Sequence, residues 1–564
     1  MMLSFNCFSQ DVVKLNEQNK SLTYEQTIGA YRELAASNKN SKLLEQGLTD
    51  CGKPLHLFVI SGDGTFSPQA ARQKNKIVIL VNNGIHSGEP DGIDASVRLS
   101  QEYLNGKKKL PENVILCIIP VFNIDGSLKR GCCSRANQEG PEEYGFRGNA
   151  KNLDLNRDFV KADASNTRSF ISIFREWDPD IMIDTHVSNG ADYQYTMTLI
   201  STQHNKLGGP VGAFLKNEMT PALFSVMKSA GQEMSPYVNT SKYDESPENG
   251  IFGFLEIPRF ASGYAALFQC MSFVLETHML KPFASRVTAT QLLIETIISY
   301  SSQNATRIID VRNQSRQLIK SQKEFPLNWQ LDSLQSETFN FKGYEAEYRT
   351  SKVTGTQQLY YNRNRPYKRP VKFYDSYKTA STVNVPDFYI IPQAWGEVIA
   401  LLKLNLVQMI RLASDTIIET ENYYISDYKT SKDPYEGHYL HNSTTVTSQR
   451  KKIQYFKGDY LIPVNQHCNR YIVETLEPTA PDSYFNWGFF DAILQQKEWF
   501  SAYVFDEMAE KLLKENPSLK SEFEKKKSED PEFASSSFSQ LYFIYRNSPM
   551  FEDHKRYPVG RGWK

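Results

Sequence analysis

Two short apolar runs, within Lys76–Asn82 and Val114–Val121, most strongly limit the folds open to this chain. Each is rich in β-branched residues and has no polar break, which is typical of strands buried on both faces of a parallel sheet. Ile181–Asp184 and Phe273–Leu275 repeat the pattern, and helix-like segments lie between these runs. The alternation from Tyr24 to Tyr300 predicts an α/β fold with a mixed, largely parallel sheet flanked by helices.

The 564 residues of the chain exceed what one ordinary hydrophobic core supports, which favours two domains or one domain with a large appendage. A helical pattern from Thr288 to Gln322 breaks at Lys323–Pro326, which predicts a boundary near residue 325. Residues 1–20 would form a lead, 21–325 the first domain and 326–564 an α+β C-terminal domain of unassigned role. In this last part, the strand-like segments are Asp387–Ile391, Tyr460–Pro463 and Tyr471–Thr475. The helix-like segments are Trp395–Ala413 and Glu498–Glu515.

Charge and cysteine content narrow the classes of partner. The chain has 64 Lys and Arg against 64 Asp and Glu, so no global charge favours nucleic acid or an anionic membrane. Its seven cysteines are scattered and include no C-x-x-C pair, so a metal site would use histidines and carboxylates.

The N-terminus carries a short apolar run, Met1–Gln10, that ends in small or polar residues. It resembles the end of a bacterial export signal and predicts a secreted or periplasmic protein; the alternative is an ordinary N-terminus. No later stretch has the ~18 uninterrupted apolar residues of a membrane helix, so no integral membrane segment is expected.

The first chemical motif, His86-Ser87-Gly88-Glu89, directly follows a predicted buried strand. A histidine and a glutamate three positions apart in a glycine-rich turn can face one point, although H-x-x-E alone is a weak signal. A second predicted strand ends in His186. Two histidines and one carboxylate make an open catalytic zinc site, with a position left for water or substrate. Taken singly, either histidine is as readily explained as an ordinary loop or core residue.

Two further motifs supply groups for binding and proton transfer. Asn156-Arg157, within Asn152–Phe159, offers an amide and a planar fork of donors suited to a carboxylate. Read alone, Arg157 is more often a surface ion-pair partner. Glu276 ends the predicted strand around Phe273–Leu275, where it could accept a proton from a metal-activated water, or simply pair with a nearby cation.

Together the four motifs resemble the carboxypeptidase A-like family of zinc carboxypeptidases over roughly residues 50–290, and the long C-terminal part resembles the extensions of its bacterial secreted members. The resemblance implies one Zn²⁺ per chain and a peptide substrate with a free C-terminal carboxylate. It implies these roles: metal ligands His86, Glu89 and His186; general base and acid Glu276; orienting group Asp154 for His86; carboxylate-binding residues Asn156 and Arg157.

The resemblance also implies an arginine that stabilises the oxyanion and a tyrosine on the substrate side. Arg147 and Arg135 are the candidates for the first role, with Arg147 preferred because it lies closer to Asn156. Tyr264 is the nearest candidate tyrosine, but its spacing to Glu276 is shorter than in the animal digestive enzymes. Their specificity pocket therefore cannot be transferred to this chain.

The sequence thus predicts a zinc metallocarboxypeptidase that hydrolyses the C-terminal peptide bond. Two alternatives remain. A zinc amidohydrolase that deacylates N-acyl amino acids would need the same metal and the same carboxylate-binding arginine. A non-catalytic peptide- or glycan-binding protein on a decayed peptidase fold is disfavoured because all four motifs are intact.

Overall fold

The computed structural model describes residues 11–242 and 245–563. The predicted export signal, Met1–Gln10, lies outside the described residues, so export stays a prediction. Within the described ranges, no helix combines the length and the apolar character required to cross a bilayer.

An eight-stranded mixed sheet organises the first part of the chain. Its spatial order is β1-β2-β4-β3-β5-β9-β6-β7, with β4, β3, β5 and β9 parallel at the centre. The strands up to residue 278 are β1 Ser41–Leu48, β2 Pro54–Ser61, β3 Ile77–Asn82, β4 Val114–Ile119, β5 Ile181–Ser188, β6 Met197–Ser201, β7 Ser235–Pro236, β8 Ile251–Phe252 and β9 Met271–His278.

Helices flank this sheet, which confirms the predicted fold class. They are α1 Val12–Glu17, α2 Tyr24–Ser37, α3 Pro68–Gln73, α4 Asp91–Leu104, α5 Ile124–Ser127, α6 Ser165–Trp177, α7 His204–Leu207, α8 Gly209–Phe214, α9 Thr220–Ser229, α10 Ala261–Ala266, α11 Phe283–Gln303 and α12 Ala305–Ser321. The predicted central strands β3 and β4 are observed. Every residue of both strands is buried, as expected from their unbroken apolar runs.

The C-terminal half, defined as residues 326–564, adds a six-stranded sheet, a two-stranded antiparallel pair, one further hairpin that forms a three-stranded sheet with β8, and several helices. The spatial order of its large sheet is β15-β18-β14-β19-β16-β17. From residue 324 onward the elements are β10 Glu324–Leu331, β11 Glu337–Thr350, β12 Gln357–Tyr374, β13 Tyr377–Asn384, β14 Phe388–Ile391, α13 Gly396–Leu404, β15 Ile410–Arg411, β16 Thr416–Thr430, β17 His441–Tyr455, β18 Tyr460–Pro463, α14 Asn469–Leu476, α15 Ala502–Glu515, α16 Pro517–Glu529, α17 Pro531–Ser535, α18 Ser537–Arg546 and β19 Gly560–Gly562.

Two local predictions for the C-terminal half were wrong. Tyr471–Thr475, predicted as a strand, lies within helix α14, whose eight residues are all buried. A short apolar run that is buried on every side has no visible period, so periodicity cannot separate strand from helix. The predicted helix Trp395–Ala413 ends early, at Leu404, because Leu406 adopts a positive φ of 55° and the chain then enters β15.

One hydrophobic core joins the two parts of the chain. It includes Leu80 on β3 and Phe174 on α6, and also Tyr389 on β14 and Tyr471 on α14. Burial of each such side chain contributes about 1.5–3 kcal/mol, so the C-terminal half is bound to the sheet by the same force that forms the sheet's own core. The change from helix α12 to strand β10 lies close to residue 325, and the division into domains there stays a prediction.

Candidate metal centre and substrate cavity

Strands β5 and β9 bring two of the predicted functional residues together. They are parallel neighbours at the centre of the sheet, and His186 lies in register with Glu276. Residues in register on adjacent strands point to the same face, so both side chains project to one side of the sheet. Asp184 lies two residues before His186 and shares that face.

The turn after β3 brings the other two metal-ligand candidates to the same point. Gly84 has a φ of +64°, a conformation that an L side chain rarely adopts, and this lets the chain turn directly after the strand. The Glu89 carboxylate then lies between the two imidazoles: Oε1 is 3.2 Å from His86 Nδ1, and Oε2 is 3.1 Å from His186 Nδ1. One ligand atom from each residue lies within 4.8 Å of the others, and all three side chains are buried.

A carboxylate orients each imidazole through its second nitrogen. His86 Nε2 is 3.0 Å from Asp154 Oδ1, and His186 Nε2 is 2.9 Å from Asp184 Oδ2. Hydrogen bonds of this kind fix the tautomer and direct the remaining nitrogen, here Nδ1, to the metal. Burial alone would raise the pKa of Asp154, but His86 and Arg147 hold it well below its usual range.

The donor set fits zinc. Two imidazole nitrogens and one carboxylate, each held by a further hydrogen bond, form the three-ligand arrangement that leaves a coordination position open. Glu89 is held in place by Arg135 Nη1, which donates to Oε1 at 2.6 Å, and by the Val187 N–H, which donates to Oε2 at 2.9 Å.

A cavity of about 420 Å³ opens onto this centre. It is lined by eight of the ten residues predicted as site residues or as the alternative arginine, which leaves out only Asp154 and Tyr264: His86, Glu89, Arg135, Arg147, Asn156, Arg157, His186 and Glu276. Apolar, aromatic and uncharged polar residues and one further acid complete the lining: Val187, Ser188, Asn189, Ile200, Tyr237, Phe254, Glu256, Phe260 and Val274.

Residues 29–246 match the family model described as zinc carboxypeptidase. The chain carries a zinc carboxypeptidase domain. The resemblance drawn from the four motifs is thereby confirmed at the level of the family, although Glu276 lies beyond the matched residues. No curated protein matches the chain.

Several solved structures resemble the zinc carboxypeptidase part of the chain. A metallo-carboxypeptidase from Burkholderia cenocepacia is 15% identical, with 51% of this chain and 71% of that chain covered and a TM-score of 0.39. A metallo-carboxypeptidase from Pseudomonas aeruginosa is 14% identical, with 52% of this chain and 71% of that chain covered and a TM-score of 0.38. Carboxypeptidase A from Helicoverpa armigera is 16% identical, with 51% of this chain and 75% of that chain covered and a TM-score of 0.36.

Arg135 and Arg147, the two candidates for the oxyanion role, differ in how many of their donor groups already form hydrogen bonds within the protein. All three donor groups of Arg135 are bound, to Gln138, Glu89 and the Val187 carbonyl. Arg147 binds Asp154 through Nε and Nη2, while its Nη1 lies 3.3 Å from His86 Nδ1. Arg147 therefore keeps a donor directed towards the metal centre.

Arg157 and Asn156 lie in the same cavity with their orientations fixed. The Arg157 guanidinium lies over the Phe260 ring, 4.3 Å from its centroid. Asn156 Oδ1 accepts a hydrogen bond from the Ala261 N–H at 3.0 Å. Because the amide oxygen is used in this way, the Asn156 Nδ2 group remains as the donor for a ligand.

Glu276 is half-buried beside the metal centre. Burial raises the pKa of Glu276 to about 8, an effect that the charge of His186 opposes and that of Glu89 reinforces. A carboxyl whose pKa is moved towards neutrality is typical of groups that transfer protons in enzymes.

Tyr264 is not among the residues that line the cavity. Its side chain is fully buried, packs against Phe159, Phe174 and Phe268, and donates a hydrogen bond to Asn405 Oδ1 at 2.6 Å. The tyrosine of the cavity lining is instead Tyr237, which follows β7 in a loop and has no motif that would have identified it. Asp184 was also missed, although the Asp-Thr-His spacing at a strand end places both side chains on one face.

Residues of the C-terminal half form hydrogen bonds with two loops that border the cavity at the metal centre, those that carry Asp154 and Arg259. Glu436, between β16 and β17, accepts a hydrogen bond from the Asp154 N–H at 2.7 Å. Asp482 accepts from the Arg259 N–H at 2.9 Å and from its Nε at 2.7 Å, next to Phe260. Neither contact has a local sequence signal, because the partners lie hundreds of residues apart.

A second cavity, of about 480 Å³, adjoins the first. It shares Ile200, Tyr237 and Phe254 with the first cavity, and Phe339 and Phe373 of the C-terminal half also line it. The surface that a substrate could contact therefore continues from the metal centre to the C-terminal half.

Proposed function

We propose that this protein is a zinc-dependent metallocarboxypeptidase that hydrolyses the C-terminal peptide bond of peptides. The observation that carries the proposal is the convergence, in one cavity, of the metal-ligand triad, Glu276 and the carboxylate-binding pair Asn156 and Arg157. The metal would be held by His86, Glu89 and His186.

Each group has a distinct part in the reaction. Zinc held by the triad would polarise the scissile carbonyl, lower the pKa of the attacking water and offset the burial that raises the pKa of Glu276. Glu276 takes the proton from the water and passes it to the leaving nitrogen. Arg147 donates from Nη1 to the oxygen that gains charge in the transition state.

Binding of the terminal carboxylate makes the enzyme an exopeptidase. Arg157 would bind the carboxylate through its guanidinium, whose Nη1 also donates to the Asn156 carbonyl at 2.8 Å and whose plane is held by the Phe260 ring. Asn156 Nδ2 supplies a further donor. With the carboxylate held there, only the last peptide bond reaches Glu276 and the metal centre. We assign the substrate-side role of the tyrosine to Tyr237, in place of Tyr264, because Tyr237 lines the cavity.

The test compares wild type with Glu276→Gln. Zinc content is measured together with the release of C-terminal residues from a mixed peptide library. We expect about one zinc per chain in both proteins and a loss of release in the variant by about 100-fold or more. Glu33→Gln, on the exposed face of α2, serves as the matched control and should retain full activity.

Other outcomes would redirect the assignment. Retained activity in Glu276→Gln would refute the role of that residue. Zinc binding without peptide cleavage, but with release of amino acids from N-acyl amino acids, would show an amidohydrolase, which needs the same metal and the same Arg157. Absence of zinc binding would favour a non-catalytic binding protein.

A further inference from the structure

Cys132 and Cys133, two adjacent residues that precede Arg135, are joined by a disulfide bond. Both side chains are exposed, and neither takes part in the proposed chemistry. The bond closes a small ring that includes the peptide linkage between the two residues, so few backbone conformations are open to them. Cys133 has a φ of 81°, which residues other than glycine rarely adopt. The disulfide therefore holds the chain in a conformation that two free cysteines are not obliged to keep.

The hydroxyl group of the buried Tyr144 links this disulfide to Arg135. Its oxygen accepts hydrogen bonds from the Cys133 N–H and from the Arg135 N–H, both at 3.1 Å. The same hydroxyl donates to the Arg135 carbonyl at 3.2 Å. One side chain thus fixes the backbone on both sides of Ser134, and a change in the conformation of Cys133 is transmitted to Arg135.

Arg135 in turn connects the two segments that carry the metal-ligand candidates. Its Nη1 donates to Glu89 Oε1 at 2.6 Å, and its Nη2 donates to the carbonyl of Val187 on β5 at 2.7 Å. Gln138 adds a second contact with the turn after β3, because it accepts from Arg135 Nε at 2.7 Å and donates to the Gly88 carbonyl at 2.9 Å. Groups that orient a metal ligand in this way contribute strongly to metal affinity.

The loop formed by residues 131–138 also borders the space in front of the metal centre. A third cavity, of about 250 Å³, is lined by four residues of this loop and by two residues of the first cavity: Ser134, Arg135, Ala136, Asn137, His86 and Arg147. A displacement of the loop would therefore change the surroundings of His86 and Arg147 as well as the support of Glu89.

We propose that the disulfide between Cys132 and Cys133 is a redox switch, which holds the loop 131–138 against the metal centre when oxidised and releases it when reduced. The inference rests on the proposed function, because it names a means of regulating the same site. The metal centre would be complete in an oxidising compartment and loosened in a reducing one. Since both sulfurs are on an exposed surface, a dissolved dithiol reaches them without unfolding of the protein.

Oxidation of the dithiol balances the reduction. One thiolate of the dithiol attacks a cysteine sulfur, which breaks the bond between the two Sγ atoms, forms a mixed disulfide and frees the other cysteine as a thiolate that takes up a proton. The second thiolate of the dithiol then displaces the first cysteine sulfur, which also takes up a proton. Two electrons and two protons thus pass to the cysteines, and the dithiol leaves as its own disulfide.

The first experiment relates the redox state to metal binding. An alkylating reagent applied without prior reduction should leave Cys132 and Cys133 unlabelled, and it should label both after treatment with dithiothreitol. Zinc affinity is then measured by competition with a chelator, for the oxidised protein and for the reduced protein from which dithiothreitol has been removed without air. We expect about tenfold weaker binding in the reduced state, as for the loss of a group that orients a metal ligand, and recovery on reoxidation.

Two variants control for the thiols themselves. The double variant Cys132→Ser, Cys133→Ser should bind zinc as weakly as reduced wild type and should not respond to dithiothreitol. Cys51→Ser removes an exposed cysteine that forms no disulfide, so it should respond to dithiothreitol as wild type does.

A second measurement needs neither zinc nor turnover. Hydrogen exchange in the metal-free protein compares the Cys133 and Arg135 amides, which donate to Tyr144, in the oxidised and reduced states. We expect about tenfold faster exchange of both amides after reduction, because the loop then opens locally more often. The amides of the buried strand β3 are the internal control and should exchange equally in both states.

Three results would overturn the inference: labelling of both cysteines before reduction, zinc affinities within about twofold of each other in the two states, or equal exchange of the Cys133 and Arg135 amides in the two states. These comparisons use wild type alone, so misfolding of the double variant would not leave the question open. Failure to bind zinc in either state would refute the proposed function alone, because the exchange comparison would still report on the loop.

Discussion

Replacement of Asp184 by asparagine tests whether the metal centre depends on the carboxylate behind His186. Both carboxylate oxygens are in use: Oδ2 lies 2.9 Å from His186 Nε2, and Oδ1 accepts from Asn82 Nδ2 at 3.0 Å. Asparagine has only one acceptor oxygen. Its NH₂ group must therefore face either the His186 N–H or the Asn82 NH₂ group, and both of these are donors.

The variant thus loses one hydrogen bond and gains a contact between two donors, in a site where Asp184 is only 1% exposed. Loss of an orienting partner of this kind typically reduces metal affinity by about 10–100-fold, equivalent to about 1.4–2.7 kcal/mol. Zinc affinity measured by competition with a chelator, at one fixed pH, gives the value directly. Asp310→Asn, at an exposed position on α12, is the matched control. Zinc affinity of Asp184→Asn within twofold of wild type would refute the reasoning.

Two further predictions concern stability. Tyr264→Phe leaves the buried Asn405 Oδ1 without the hydroxyl donor at 2.6 Å, so we expect the free energy of unfolding to fall by about 1–2 kcal/mol in urea titrations. Peptidase activity should stay within twofold of wild type, and a tenfold rise in KM would return Tyr264 to the substrate site. Burial raises the pKa of Asp94 to about 7, so its stabilising contribution is complete below about pH 4 and is lost as the pH rises through 7. Asp94→Asn should remove about 4 kcal/mol of this pH dependence, and urea midpoints that vary with pH as in wild type would contradict the assignment.

The sequence predicted the centre of the sheet because parallel strands buried on both faces have unbroken apolar runs, as in β3 and β4. It did not predict the long hairpins β11–β12 and β16–β17, whose residues are mostly polar and exposed or half-exposed. Such strands are held by hydrogen bonds between partners rather than by an apolar face, so they carry little periodic signal.

The candidate site shows the same division between local and non-local information. His86 and Glu89 share one turn and could be paired from their spacing, and strand-end positions identified His186 and Glu276. Glu256 and Tyr237 lie in loops, where no period relates a residue to the sheet. Tyr264 was selected by its distance along the chain, but helix α10 directs it into an aromatic cluster, away from the cavity lining.

The C-terminal half completes the loop that carries Asn156 and Arg157, the pair proposed to bind a carboxylate, and the hydrogen bonds of Asp154 explain why a residue so distant in sequence is needed there. The Asp154 carboxylate is committed to His86 and Arg147, while its backbone N–H requires a separate acceptor. Glu436 supplies that acceptor and so fixes the start of the turn that carries Asn156 and Arg157. Because the same turn also orients the His86 imidazole, we expect a shift of the β16–β17 connection to alter the proposed carboxylate binding and the proposed metal binding together.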